Sequence, residues 1–398
     1  MPRLQDFNTP LAYKVDDSET TVSTSKGPIP SQLAYRVDIR SLDGMQKEAV
    51  VRQLVPQGGA TWRLVSDEGP YLNGTDLAPF PLAFFAAGLQ FCYMSQLVEL
   101  LRANKVNIHS LAVDQDTKYT MTGSALRGDM IGEGVPAELT VKLESDASPE
   151  ILAPLMMKAS DLSPAHAVMR DLFTNTFALQ LNGNQVSLSD MAPSPNDLVV
   201  KPQESFHNLQ PATNNSFREN LVTKIKTAEV KHGVTGGAGS SLQAEQKRTL
   251  HIHSEARLVG NDLFETDIHL FQPLGSSFRF LCDAAGGTTA PGPLAYLSAG
   301  VGFCYMTQLG RYAYITKQNV RSSQIVQFND YLQPGPNGTS AEAGPTDTQV
   351  FMDADETDES AKRSVRMGEQ TCFLHGSMRE TYPTIIRATL NSKTLPLP

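Results

Sequence analysis

Cysteine is scarce in this chain, with four residues in 398. That is far below what a secreted domain stapled by disulfides carries. Clustered positive charge is missing as well. Lys and Arg number 33 against 42 Asp and Glu, a net charge of −9. Neutralising phosphates needs grouped Lys and Arg, so no nucleic-acid partner is expected. Residues 1–15 contain no basic segment followed by an apolar one, so no secretory signal is expected. The most apolar run, residues 79–94, is interrupted by Gln90 and falls short of the roughly 20 residues of a membrane helix. The expectation is a cytoplasmic protein with no membrane partner, whose cysteines are free thiols. Apolar residues make up 40 % and charged residues 19 %, a globular composition. The length favours two domains.

What is present is a repeat. Residues 81–97 read PLAFFAAGLQFCYMSQL and residues 293–309 read PLAYLSAGVGFCYMTQL, with eleven of seventeen positions identical at an offset of 212. Upstream, residues 62–67 match 278–283 at an offset of 216. Downstream, residues 163–171 match 372–380 at an offset of 209. A period near 210 residues is too long for a solenoid and points to one domain duplicated and fused. The division expected is an N-terminal extension (1–32), a first unit (33–185), a linker (186–246) and a second unit (247–398). The Pro- and Gly-rich linker reads as a connector with one short helix over residues 216–226. The acidic stretch 353–359 reads as a solvated surface.

Both units show one order of elements. Strand-like alternation at residues 34–39 and from His251 onward leads to turns at Gly44 and Gly260, then to strands near 62–65 and 278–281. A long helix follows from Pro81 to about Ala103, and from Pro293 to about Thr316. Proline suits the first helical position. Each helix is apolar on nearly all sides, as befits the buried centre of its unit. Strands are expected at 110–125, 138–144, 321–332 and 348–353, then a shorter helix starting at Ser163 or Cys372, then strands at 177–181 and 385–390. The fold class expected is α+β, a long buried helix on antiparallel sheet. Each helix alone would leave apolar surface in water, at about 25 cal/mol per Å², so the two are expected to pack on each other.

The matched positions set the cysteines apart. Cys92 matches Cys304, Cys372 matches Ser163, and Cys282 matches Ser66. The second unit therefore has a thiol in its central helix and another where its shorter helix begins. A helix N-terminus favours thiolate, and His375, one turn on, could add a donor or positive charge. Cys92, without a second thiol, and Cys282, without a matched partner, read more simply as small buried residues. His166 and His375 recur in both units, which fits packing or capping.

Strands, an apolar helix bearing Ala299-Gly300-x-x-x-Cys304, more strands, then Cys372 opening a shorter helix: this order resembles the OsmC/Ohr family, osmotically induced and organic hydroperoxide resistance proteins. The resemblance covers both units and implies a covalent, intramolecular pseudo-dimer with central helices packed together and sites at the interface. It implies an antioxidant thiol peroxidase, an oxidoreductase acting against oxidative stress. Cys304 would attack an organic hydroperoxide and form a sulfenic acid. Cys372 would resolve it to a disulfide in a shared pocket, and a dithiol or lipoyl-type reductant would restore both. Cys92 would be a possible second site. No cofactor and no metal is implied.

The chain departs from the family at several positions. The family's glutamate, about ten residues before the attacking cysteine, is replaced by Leu82 and Leu294. No proline follows Cys372. Arg279 with Asp283, and Arg63 with Asp67, are the candidates for the family's Arg–carboxylate partnership. Two other readings stand beside this one. The first is a non-catalytic relative binding a small apolar ligand between the units. The second is a metal site on Cys304, Cys372 and His375, for which Cys-x-x-His supplies only a fragment of the usual ligand spacing.

Overall fold

The computed structural model describes residues 2–16, 26–27, 32–207, 209–212, 220–228, 246–285 and 287–398. The first half of the chain runs β1 (Ala12–Lys14), β2 (Leu33–Ser41), β3 (Lys47–Val55), β4 (Thr61–Ser66), α1 (Pro81–Ala103), β5 (Ser110–Gly123), β6 (Ile131–Gly134), β7 (Glu138–Glu144), α2 (Pro149–Asp161), α3 (Pro164–Arg170), β8 (Thr176–Leu181), β9 (Asn184–Val186) and β10 (Ala192–Pro193). After β11 (Val222–Lys226), the second half runs β12 (Gln246–Leu258), β13 (Leu263–Gln272), β14 (Ser277–Asp283), α4 (Pro293–Ile315), β15 (Val320–Leu332), β16 (Glu342–Ala343), β17 (Asp347–Ala354), α5 (Asp358–Thr371), α6 (Phe373–Gly376), β18 (Ile385–Leu390) and β19 (Lys393–Leu395).

The two halves exchange strands. One sheet has the order β1-β4-β3-β2-β15-β17-β8-β10, and the other β11-β14-β13-β12-β5-β7-β18-β19. Each sheet thus takes its opening strands from one half and its next strands from the other. The expected antiparallel sheet is corrected to a mixed one. β8 runs parallel to β17, and β18 parallel to β7. In both cases a strand that follows two helices of its own half returns beside a strand of the other half.

α1 and α4 lie between the sheets and pack on each other, α1 also against β12 and β13 and α4 against β2 and β3. Pro81 and Pro293 open the two helices. Both close the same way. Lys105 and Lys317 take the left-handed conformation, and the next amide returns to the helix, from Val106 to the Leu101 carbonyl and from Gln318 to Ala313. α1 has the length and apolarity to cross a membrane, but it is almost wholly buried within the fold, as a core helix is. Each buried Leu or Phe along it contributes about 1.5–3 kcal/mol. The helices cross at glycines: a Cβ on Gly88 would lie 2.6 Å from the Leu297 nitrogen, and one on Gly300 2.6 Å from the Phe85 nitrogen.

Between residues 186 and 246 the chain departs from a plain connector. The helix expected over 216–226 is corrected: Val222–Lys226 is a strand on the open edge of β14, and residues 216–219 lie outside the described residues. Val222 and Ile225 are β-branched, and an unpaired sheet edge offers them backbone partners that an isolated helix lacks. β1 covers the corresponding edge of β4. Leu198 and Val199 cap a small apolar cluster on the outer face of the first sheet.

Two helices went unread in the sequence. α2 begins at Pro149 and holds Pro154 inside it, which disguises it as loop. α5 buries a face that includes Ser364, Gly368 and Thr371, residues that do not look like core. The acidic stretch just before and into α5 behaves as expected, with Asp353, Asp355, Asp358 and Glu359 exposed.

Candidate functional site

Cys304 lies midway along α4, and Cys372 ends α5 and caps the four-residue α6. α6 packs against α4. All four cysteines are free and buried. The structure brings the Cys304 and Cys372 thiols close enough to interact, through the packing of α6 on α4. Beneath α6 lies β6 of the first half, so close that a Cβ on Gly132 would stand 2.6 Å from the Thr371 carbonyl oxygen. Tyr119 of β5 closes the same region, its ring 5.8 Å from Phe373. Burial raises its phenol well above the ordinary range, and the two thiols add to the shift.

The thiolate-favouring helix terminus expected at Cys372 is corrected. Burial pushes this thiol well above its usual range, and its contact with Cys304 pushes the same way. The amides of His375 and Leu374 oppose that shift. Two amides at a helix start cannot offset full loss of solvent. The charge expected from His375 is corrected too. Its ring packs 5.4 Å from Tyr305 and 5.7 Å from Phe177, and neither ring nitrogen has a hydrogen-bond partner among the described residues. His166 is buried likewise, with Nδ1 2.8 Å from the Ser163 hydroxyl.

Burial, with Arg379 near one and Arg170 near the other, pushes His375 and His166 each down to about 3. The unfolded chain binds protons at these histidines near pH 6.5 and the folded chain does not. Stability is therefore full above that pH and declines as pH falls through the window from about 6.5 to 3. At pH 5 the expected loss is about 2 kcal/mol per histidine. Denaturant midpoints at pH 7 and 5 check this, and His166→Phe and His375→Phe should each flatten the decline.

Buried polar and charged side chains unread in the sequence lie along α4 after Cys304. Thr307, Gln308 and Arg311 follow it at helical spacing, and all three are buried. Arg311 donates to the Gln308 carbonyl oxygen at 2.8 Å. Thr307 donates at 3.0 Å to Glu68, which also accepts from the Tyr71 hydroxyl at 3.0 Å. Glu68 and Lys47 come from the first half and are buried. Burial lowers the Lys47 ammonium, against the pull of Glu68, Asp67 and Cys304, and burial raises the Glu68 carboxyl. Glu68 thus brings a carboxylate beside α4. No motif marks it, because it arrives from 236 residues away along the chain.

The Arg–carboxylate candidates do not pair. Arg279 bonds Asp267 across the strand at 2.6 and 2.7 Å. Asp283 instead accepts from the amides of Ala285, Thr288 and Thr289. Arg63 pairs with Glu48 at 2.8 Å, and Asp67 accepts from Thr75 and Leu77. Residues four apart on a strand share a face but stand about 13 Å apart, so each arginine reaches sideways to the neighbouring strand.

Cys92 lies in different surroundings. Burial pushes its thiol up to about 11, with the Ser163 hydroxyl and the Ala165 amide pulling it down. By the offsets of the repeat, Leu263, Ala284 and Glu99 stand where Cys304 has Lys47, Glu68 and Arg311. Cys92 lines a cavity of about 470 Å³ whose walls are β2–β4, α1 and residues 283–295. Cys282 is buried beside Asp283, and both burial and that carboxylate raise its thiol well above the usual range. Among the described residues no group of three His, Cys, Asp or Glu is placed to hold a metal ion.

No protein-family model and no curated protein matches the chain. Among solved structures, it is similar to an OsmC-like hydroperoxide resistance protein from Jannaschia sp. CCS1. The two are 22 % identical over 36 % of this chain and 95 % of that one, with a TM-score of 0.23.

Proposed function

We propose that the chain is a thiol-dependent reductase of organic hydroperoxides, built as two fused units that form an intramolecular pseudo-dimer. The observation that carries this reading is the contact between Cys304 and Cys372 beside a buried lysine. The surroundings divide the work. Lys47 is buried close enough to Cys304 for the two side chains to interact. Cys372 is held protonated. The Cys304 thiolate attacks the outer peroxide oxygen, the O–O bond breaks, and the alkoxide takes a proton and leaves as alcohol. Cys372 then attacks the sulfenic sulfur, giving a Cys304–Cys372 disulfide and water. A dithiol reductant returns both thiols by exchange and leaves as its own disulfide.

Thiol mapping by mass spectrometry tests this, before and after a brief pulse of cumene hydroperoxide. The expected product is a crosslinked peptide joining Cys304 to Cys372, formed before any change at Cys92 or Cys282. All four thiols surviving the pulse would refute the reading.

A further inference from the structure

The cavity beside Cys92 has walls that the thiol chemistry does not use. Trp62 and Tyr35 supply aromatic surface, and Leu294 of α4 adds an apolar wall. Trp62 and Gln96 are each only 2 % exposed, yet neither side chain has a hydrogen-bond partner among the described residues. Neither polar group is among the unpaired atoms sealed from solvent, so both stay open to the space that they line together. The tyrosine hydroxyl by contrast reaches Gln53 at 3.4 Å.

Charge narrows the choice of occupant. The described lining contains no Lys, Arg or His, and its one carboxylate is Asp283, with its oxygens already held by backbone amides. An anion entering here would meet a fixed negative charge with no cation to offset it.

We infer that this cavity is a binding site for a neutral, ring-bearing molecule with a carbonyl or hydroxyl group, and that it rejects anions. The ring lies against Trp62 and Tyr35, and the oxygen accepts from the Trp62 indole and the Gln96 amide. About 470 Å³ is within the size range of small-molecule sites. The site is more polar than the apolar-ligand reading of the sequence expects. It stands apart from the Cys304–Cys372 chemistry.

Trp62 is the single tryptophan of the chain, so intrinsic fluorescence reports on this cavity directly. The full chain is titrated with 4-phenyl-2-butanone and, separately, with 3-phenylpropanoate, a carboxylate of nearly the same shape. The ketone should give a saturable change in Trp62 emission, and the carboxylate should bind at least ten-fold more weakly. Gln96→Leu should weaken the ketone about five-fold by removing one hydrogen bond. Ala60→Met, at the cavity wall, should block it. An unresponsive Trp62 with the ketone, or equal binding of the carboxylate, would overturn the inference, and the wild-type titrations decide this without either variant. Neither titration reads peroxide turnover, so failure here leaves the thiol reaction standing, and the converse also holds.

Discussion

Cys304→Ser is expected to lower hydroperoxide-dependent oxidation of a dithiol by roughly a thousand-fold or more, because a serine hydroxyl is no nucleophile without a base to activate it. Cys372→Ser should consume about one equivalent of peroxide per chain and then stop, since serine cannot condense with a sulfenic acid. Cys92→Ser should keep most of the turnover. Its matching helix start is Ser163, and the buried lysine lies at the other thiol. Steady-state and single-turnover measurements on the three variants separate these outcomes. Full activity in Cys304→Ser would sink the assignment. The order of the roles follows from surroundings rather than from position along the chain. One thiol has a buried lysine nearby, and the other is pushed toward its protonated form by burial and by its neighbour.

The second large effect is on stability. Gly88→Ala and Gly300→Ala should each destabilise the protein by about 3 kcal/mol or more, at the upper end of what overpacking costs. In both cases the added methyl would press on backbone of the opposite helix, at 2.6 Å from a nitrogen. Backbone cannot swing aside as a flexible side chain can, so the two helices would have to part along the whole core. The gain in helix propensity from Gly to Ala, about 1 kcal/mol, does not offset this. Gly310→Ala on the same α4 is the control. A Cβ there would meet nothing within 4 Å, so it should be neutral or stabilising by up to about 1 kcal/mol. Guanidinium unfolding of the three variants measures the difference. Equal midpoints for Gly300→Ala and Gly310→Ala would mean that the helices do not cross at these glycines.

Local pattern settled a good deal of this protein. The apolar run after Pro81 and Pro293 marks α1 and α4 almost to the residue, because a proline start and apolar side chains on nearly all sides of the first half favour a buried helix. The strands expected at 110–125 and 138–144 are β5 and β7, whose side chains alternate between core and outer face. The repeat itself singled out Cys304 and Cys372. Local pattern also misled where the buried face is made of small or polar residues, as in α5, or where an unpaired edge recruits a segment, as β14 recruits Val222–Lys226.

Tertiary structure alone decided which strands share a sheet, because hydrogen bonding across a sheet is blind to sequence separation and β2 finds its neighbour in β15. It decided the protonation of Cys372 and of the two buried histidines as well: a helix terminus and a matched His suggest charge, but burial outweighs both. And it alone placed Lys47 near Cys304 and Glu68 against Thr307, since a charge acts through distance in space and two halves of one chain that exchange strands bring together residues no spacing rule connects.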